Sequence, residues 1–430
     1  MNGMVRVAVL LFTVGVGLLR AQTLEIAPQR LMVDESAVIR ATGLQPNERV
    51  SIAAHLVDGA AQTWKSDAEF QADAQGVVDV SRQAPLKGSY KDLSAMGLIW
   101  SMMPAKKGVA SYQPSRELVP QTIDFEVLRQ GQPIARGQME QIAAAEKVRR
   151  IRVQGPVQGI LFLPDANGRY PGVLVVGGSE GGVPFQKAAW LASHGFAALA
   201  LAYFRYEDLP PDLEAIPLEY FGRALTWMMQ RPEILPDRIG VVGTSRGGEL
   251  ALQLASMYPQ IKTVVAYVPA NVRYPACCGA TRVPYSWTWQ GRALAYLPLR
   301  SGDNPQLRSD AAIEVEHSQG PVLLIGAEDD GVWQSARMVD AVADRLRRSQ
   351  FPYRVEVLKY AHAGHLAGRP EIVPAWHGAT IHPVSGRMMD LGGSPAGDAE
   401  SSLDAIPKVL AFLKNSLAGT AEQESPAPSR

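Results

Sequence analysis

Ser245 stands in the densest chemical signal of this 430-residue sequence, Gly243-Thr244-Ser245-Arg246-Gly247-Gly248. The apolar run Ile239–Val242 precedes it and the helix-compatible stretch Gly248–Met257 follows it. A G-x-S-x-G between strand and helix is a nucleophile elbow, a sharp turn that lifts a serine hydroxyl above the carboxyl edge of a sheet. Residues two positions either side of the serine must be small, because a side chain there would strike the strand or the helix. A serine hydroxyl is a poor nucleophile at neutral pH, so it needs a histidine base and an acid to hold that histidine's tautomer. In this arrangement the acid and then the base follow the serine along the chain.

The run Val322–Ile325 leads into Gly326-Ala327-Glu328-Asp329-Asp330-Gly331-Val332-Trp333. Three carboxylates at one strand end repel one another, which makes a purely structural cluster unfavourable, but spacing alone does not separate Asp329 from Asp330. The next run, Tyr353–Leu358, leads to Tyr360-Ala361-His362-Ala363-Gly364-His365. His365, deeper in the loop and preceded by glycine, has the freer reach, with His362 as its competitor. His55, His194, His317, His377 and His382 read as surface or packing residues. The backbone N–H of Arg246 at the helix start is one expected oxyanion donor. The second is expected from Gly177-Gly178-Ser179-Glu180-Gly181-Gly182, with Ser179 as the named donor. A phosphate-cradling role for this loop is disfavoured, because no lysine follows in the G-K-[ST] arrangement.

Elements able to position these residues recur from Arg150 onward. Val173–Val176, Ala197–Ala202, Ile239–Val242, Val264–Val268, Val322–Ile325 and Tyr353–Leu358 are short apolar runs of the kind buried parallel strands have. Phe185–His194, Leu218–Gln230, Gly248–Met257 and Ser335–Ser349 lie between them with helix-compatible composition, which predicts a doubly wound, mostly parallel α/β sheet. From Thr23 to Arg149 the pattern differs. Ala37–Ala41, Val50–Val57, Phe70, Val77–Val80 and Thr122–Val127 alternate with turn residues, as in a small all-β immunoglobulin-like sandwich. The expected organisation is a leader at 1–21, a sandwich at 22–149, a catalytic domain at 150–418 and a disordered tail at 419–430.

Composition narrows the function. Lys plus Arg and Asp plus Glu both number 42, so no net charge steers the chain toward nucleic acid or an anionic membrane. A small-molecule substrate is the default. Arg6 followed by the apolar run Val7–Leu19 reads as a signal peptide cleaved after Ala21, since the run is shorter than the roughly 20 residues a span requires. An uncleaved anchor is the alternative. Cys277 and Cys278 are the two cysteines, and being adjacent they are either buried thiols or a vicinal pair. Neither a metal nor a cofactor is expected.

Further segments carry a resemblance: Leu199-Ala200-Leu201-Ala202-Tyr203, Tyr206-Glu207-Asp208-Leu209-Pro210, Leu218-Glu219-Tyr220-Phe221, Gly88-Ser89-Tyr90 and Met96-Gly97-Leu98-Ile99-Trp100-Ser101. With the elbow Gly243–Leu250, they resemble the acyl-CoA thioesterases and bile acid-CoA:amino acid N-acyltransferases. The resemblance spans everything but the leader and tail, and it implies an N-terminal β-sandwich before an α/β-hydrolase domain. That family's Asp-Asp-x-x-Trp-x-Ser pattern implies Asp330 as the acid, and its Tyr-x-x-x-Gly-His pattern implies His365 as the base. Its serine members mostly hydrolyse the acyl group, whereas cysteine members pass it to an amino acid, so Ser245 implies hydrolysis. The animal members act on CoA thioesters inside cells, while the N-terminus here reads as an export signal. The expected substrate is therefore an acyl thioester or another ester. Acyl transfer to an amine and a non-catalytic binding role are the rival readings. Trp287, Trp289 and Tyr296, in the segment Asn271–Arg300, either line an acyl pocket or serve packing.

Overall fold

The computed structural model describes residues 21–108, 111–115, 117–165, 167–297, 310–378 and 380–418. The expected leader, Ala21 apart, and the expected tail lie outside these residues, as do positions 298–300 of the aromatic segment.

Alternation of buried and exposed residues builds the N-terminal part. Its strands are β1 (Thr23–Ala27), β2 (Arg30–Met32), β3 (Val38–Thr42), β4 (Arg49–Val57), β5 (Thr63–Gln71), β6 (Val78–Asp79) and β7 (Lys87–Gly88). A short helix α1 (Gly97–Trp100) leads to β8 (Met103–Pro104), β9 (Gln121–Arg129) and β10 (Gln132–Ile142). In β4 the residues Val50, Ile52, Ala54 and Leu56 are buried while their neighbours are not, the period of a strand with one face on a core. Among the described residues β1-β3-β6 form one sheet and β2-β10-β9-β4-β5-β7 another, with β8 on β5. β10 escapes the sequence pattern because, at an outer position beside the short β2, most of its side chains are only partly buried or exposed.

The third sheet is of a different kind. It contains β11 (Arg149–Val153), β12 (Gln158–Leu163), β13 (Tyr170–Val176) and β14 (Ala197–Ala202). After the short β15 (Ile216–Pro217) come β16 (Ile234–Thr244) and β17 (Ile261–Tyr267). Beyond β18 (Trp287–Trp289) and β19 (Arg292–Ala293), the set ends with β20 (Val322–Ala327) and β21 (Val355–Tyr360). The order is β11-β12-β14-β13-β16-β17-β20-β21, antiparallel at β11-β12-β14 and parallel thereafter. β11 and β12 precede β13, the strand that carries Val173, and match none of the apolar runs read from the sequence. Helices α2 (Phe185–Ser193), α3 (Glu219–Met229), α4 (Arg246–Met257), α5 (Ser335–Arg348) and α6 (Pro395–Ser416) cover its faces.

The continuous apolar runs arise because both faces are covered. Val173, Val175, Ala198, Ala200 and Val242 join one cluster with α2 and α6, while Leu174, Val176, Leu199, Leu201 and Val241 join the other with α3, α4 and α5. The first cluster continues without a break into the core of the N-terminal sheets. Main-chain bonds reinforce that junction: Ile372 N–H donates to the Val33 carbonyl at 2.8 Å and Ala375 N–H to the Trp100 carbonyl at 2.9 Å. Asp34, its side chain nearly enclosed, accepts from Trp190 Nε1 of α2 at 2.9 Å and meets His194 Nε2 at 2.8 Å.

Cys277 and Cys278 are joined to each other as a vicinal disulfide. Among the described residues no helix is long and apolar enough to cross a membrane.

Asp34→Ala leaves the buried Trp190 N–H without a partner and is expected to lower the unfolding free energy by about 1–3 kcal/mol. The urea midpoint should fall with an unchanged slope. An unchanged midpoint would show that this contact does not tie the two sheet systems together.

Candidate active site

Ser245 lies between β16 and α4 with φ 59° and ψ −122°, a left-handed conformation that few side chains adopt. Two main-chain bonds hold it there: Ser245 N–H to the Tyr267 carbonyl at 2.9 Å and Glu249 N–H to the Ser245 carbonyl at 3.0 Å. The flanking glycines have a steric cause. A Cβ on Gly243 would lie 1.9 Å from the Gly247 carbonyl oxygen, and one on Gly247 would lie 2.3 Å from that of Gly177. Thr244 accepts from Lys187 Nζ at 2.5 Å, and that ammonium sits 3.8 Å from the Tyr267 ring centre. Desolvation pulls Lys187 down to about 8, against the opposing influence of Glu371 and Glu180.

The loops after β20 and β21 bring an acid and a histidine to this hydroxyl. His365 Nε2 lies 2.8 Å from Ser245 Oγ, and His365 Nδ1 lies 2.9 Å from both carboxylate oxygens of Asp330. Asp330 Oδ1 also accepts from the N–H groups of Val332 at 2.9 Å and Trp333 at 3.2 Å, so its rotamer is set by its own turn. The carboxylate side chain is fully enclosed and the imidazole nearly so. Asp329 and His362 instead face each other across 3.5 Å with largely exposed side chains. The Trp333 ring stands edge-on to His365 at 5.3 Å and stacks on Tyr274.

Gly364 has a different reason from free reach. A Cβ there would lie 2.2 Å from the Gly392 carbonyl oxygen, and Gly364 N–H donates to Asp398 Oδ1 at 2.8 Å. Asp398, fully buried in the first turn of α6, also meets His377 Nε2 at 3.3 Å. His365 N–H donates to the Leu391 carbonyl at 2.7 Å. These loop anchors were invisible in the sequence, where Gly392–Ser394 and Pro407 hide α6. Ser394 as N-cap, accepting from Gly397 N–H at 3.1 Å, is the signal that marks its start.

Of the two expected oxyanion donors, Arg246 directly follows the serine, and Ser179 lies in a loop that passes close to it. Arg246 heads α4 with its N–H at the positive end of the helix. Its guanidinium turns away, donating to Ser286 Oγ at 2.6 Å and the Tyr274 carbonyl at 3.1 Å. The loop 177–182 passes so close that a Cβ on Gly178 would lie 3.4 Å from that of Ser245. Tyr203, the last residue of the Leu199–Tyr203 segment, donates from Oη to the Gly177 carbonyl at 2.7 Å.

One expectation needs correction, and one left open is decided. His382 is no bystander: its Nε2 is 2.9 Å from Ser179 Oγ and the residue is buried. It arrives on a hairpin of β22 (Thr380–Ile381) and β23 (Met388–Met389). Trp287 is core rather than pocket wall, packed on Tyr203 and Phe221 with Nε1 donating to Glu249 Oε1 at 2.7 Å. Trp289 packs edge-on against Tyr258.

The sheet order, with a serine elbow at the carboxyl end of a central strand, defines an α/β-hydrolase. The acyl-CoA thioester hydrolase/BAAT N-terminal region matches residues 34–155, and the BAAT/acyl-CoA thioester hydrolase C terminal matches 216–283 and 287–419. Acyl-coenzyme A thioesterase 6 of Mus musculus is 32% identical over 419 residues, covering 93% of this chain and 98% of that one. Acyl-coenzyme A thioesterase 1 of Homo sapiens is 31% identical, with coverages of 95% and 100%. The peroxisomal succinyl-coenzyme A thioesterase of Mus musculus is 30% identical, with 94% and 99%. The chain belongs to the acyl-CoA thioester hydrolase/BAAT family and is an acyl-CoA thioesterase-like hydrolase.

Gly364→Ala pushes the His365 loop off the Gly392 carbonyl. It is expected to cost about 1–3 kcal/mol by overpacking and to weaken Ser245 labelling by a fluorophosphonate. Labelling at the parent's rate would show that the close packing of this loop does not position the imidazole.

Proposed function

We propose that the chain hydrolyses acyl thioesters or esters through an acyl-enzyme on Ser245. One observation carries the reading: the unbroken line of hydrogen bonds from Ser245 Oγ through His365 to the enclosed Asp330 carboxylate. As Oγ bonds the carbonyl carbon, His365 Nε2 takes its proton, and Asp330 stabilises the imidazolium through Nδ1–H. The backbone N–H groups of Arg246 and Ser179 receive the oxyanion. Collapse expels the thiolate or alkoxide, which takes the proton from His365. Water then attacks the acyl carbon while His365 takes its proton; the bond to Ser245 Oγ breaks, His365 returns the proton to Oγ, and the carboxylic acid leaves with the serine regenerated.

Serine at the elbow and the thioesterase relatives favour water as the acceptor. Ser245→Ala should abolish hydrolysis and leave the unfolding midpoint in place, and Asp330→Asn should lower kcat roughly 10³- to 10⁴-fold. The measurement is a panel crossing acyl length with CoA, pantetheine and simple alcohol leaving groups. Equal turnover by Ser245→Ala and parent would refute the reading. An N-acyl product formed when glycine or taurine is supplied would replace hydrolysis by transfer.

The site of action follows from the N-terminal pattern. Residues 1–21 direct export, so the working substrate is an ester or thioester met outside the cytoplasm. Sequencing the N-terminus of the protein expressed in its own cells should find Gln22 first; a mature chain beginning at Met1 overturns the export assignment.

A further inference from the structure

Ser179 and His382 are 203 positions apart and share a hydrogen bond, in the loop whose Gly178 approaches Ser245. Within the hairpin turn, Val384 N–H and Ser385 N–H both donate to His382 Nδ1, at 3.2 and 3.1 Å. Nδ1 therefore carries no proton, and in the neutral ring the proton is on Nε2. The bond to Ser179 thus runs from His382 Nε2–H to Oγ, at 2.9 Å. Burial and the neighbouring Arg205 hold the imidazole below its usual value, with Glu180 opposing them, which keeps the ring in this neutral form.

The loop receiving the bond needs outside support. Four of its six residues are glycines, and Gly181 and Gly182 have φ of 69° and 75°, so its backbone has many conformations to lose. Tyr203 holds the Gly177 carbonyl, Glu180 Oε1 accepts from Gly178 N–H at 3.1 Å, and Arg205 reaches the Glu180 carbonyl at 3.3 Å. Position 179, the one assigned to the oxyanion, is fixed from the hairpin. His382, directly after β22, is buried while the cross-strand pair Ile381 and Met388 faces solvent.

We propose that His382 is a positioning residue for the acyl-transfer step, locking Ser179 so that the loop's backbone N–H meets the developing oxyanion. The inference rests on the hydrolase reading above. It assigns no proton transfer to His382; the ring stays neutral and acts only through Ser179.

Three variants separate this role from hairpin stability. Ser179→Ala removes the acceptor and keeps the backbone N–H. His382→Asn keeps an acceptor for the turn, since an Asn carbonyl can receive the N–H groups two and three positions on, yet is too short to reach Ser179. His382→Gln restores a donor of greater length. Ser179→Ala and His382→Asn should each lower kcat roughly 10- to 100-fold with KM little changed, and slow fluorophosphonate labelling of Ser245 in proportion. The double variant should be no worse than the poorer single, the signature of a shared interaction, and His382→Gln should recover part of the loss at an unchanged unfolding midpoint. Single variants that turn over and label like the parent, or losses that simply multiply, overturn this inference and leave the hydrolase reading standing. A parent that neither turns over the panel nor labels overturns both.

Discussion

The backbone of Ser245 is the constraint to which the rest of the molecule answers. A non-glycine residue held at φ 59° and ψ −122° carries a conformational cost on the order of 1–3 kcal/mol. It persists because the surroundings leave no alternative. Its N–H is committed to β17 and its carbonyl to the first turn of α4, while β16 is buried on both sides and cannot shift. Glycine at 243 and 247 lets strand, helix and the 177–182 loop approach to distances no side chain would permit. What emerges is a hydroxyl fixed in space, at the positive end of a helix and beside a glycine-rich loop.

Acid and base come to that point by unlike means. Asp330 is positioned locally: the strand ends, the chain turns, and two N–H groups of that turn hold the carboxylate. His365 is positioned by remote parts. Its own N–H is tied to Leu391, the glycine before it to Asp398 of α6, and its ring to Asp330 and Trp333. Removing α6 would thus disturb the base before it disturbed the nucleophile, although both sit on the same sheet edge.

That difference explains what could be read from the sequence. Buried parallel strands are continuous apolar runs, and a G-x-S-x-G after one of them is a local pattern, so β13, β14, β16, β17, β20 and Ser245 were legible. Asp330 and Asp329 are adjacent in type and position. Only the enclosure of one and the exposure of the other separates them structurally, and family resemblance anticipated it. His382 was not legible. Nothing near it in the sequence marks a partner 203 positions away, and its immediate neighbours Thr380 and Ile381 look like any exposed hairpin. β10 and α6 were missed for a related reason: an outer strand with a partly exposed face and a helix containing Ser, Asp and Pro carry weak periodicity, and tertiary packing overrides it.

The N-terminal sandwich has a mechanical part in this arrangement. After His365 the chain leaves the hydrolase sheet, and Ile372 and Ala375 bond to backbone of the N-terminal part. Trp376 packs on Trp64. The same excursion then returns as the β22–β23 hairpin, delivers His382 to Ser179, and enters α6 through Ser394. One continuous segment, braced at its middle on the sandwich, therefore holds His365 at one end and reaches the Ser179 loop further along. The two groups that the proposed hydrolysis would need in register with Ser245 share a single external brace. The apolar cluster that runs unbroken from the sandwich under α2 and α6 backs that brace. The sandwich is thus packed against and hydrogen-bonded to the segment that carries His365 and His382.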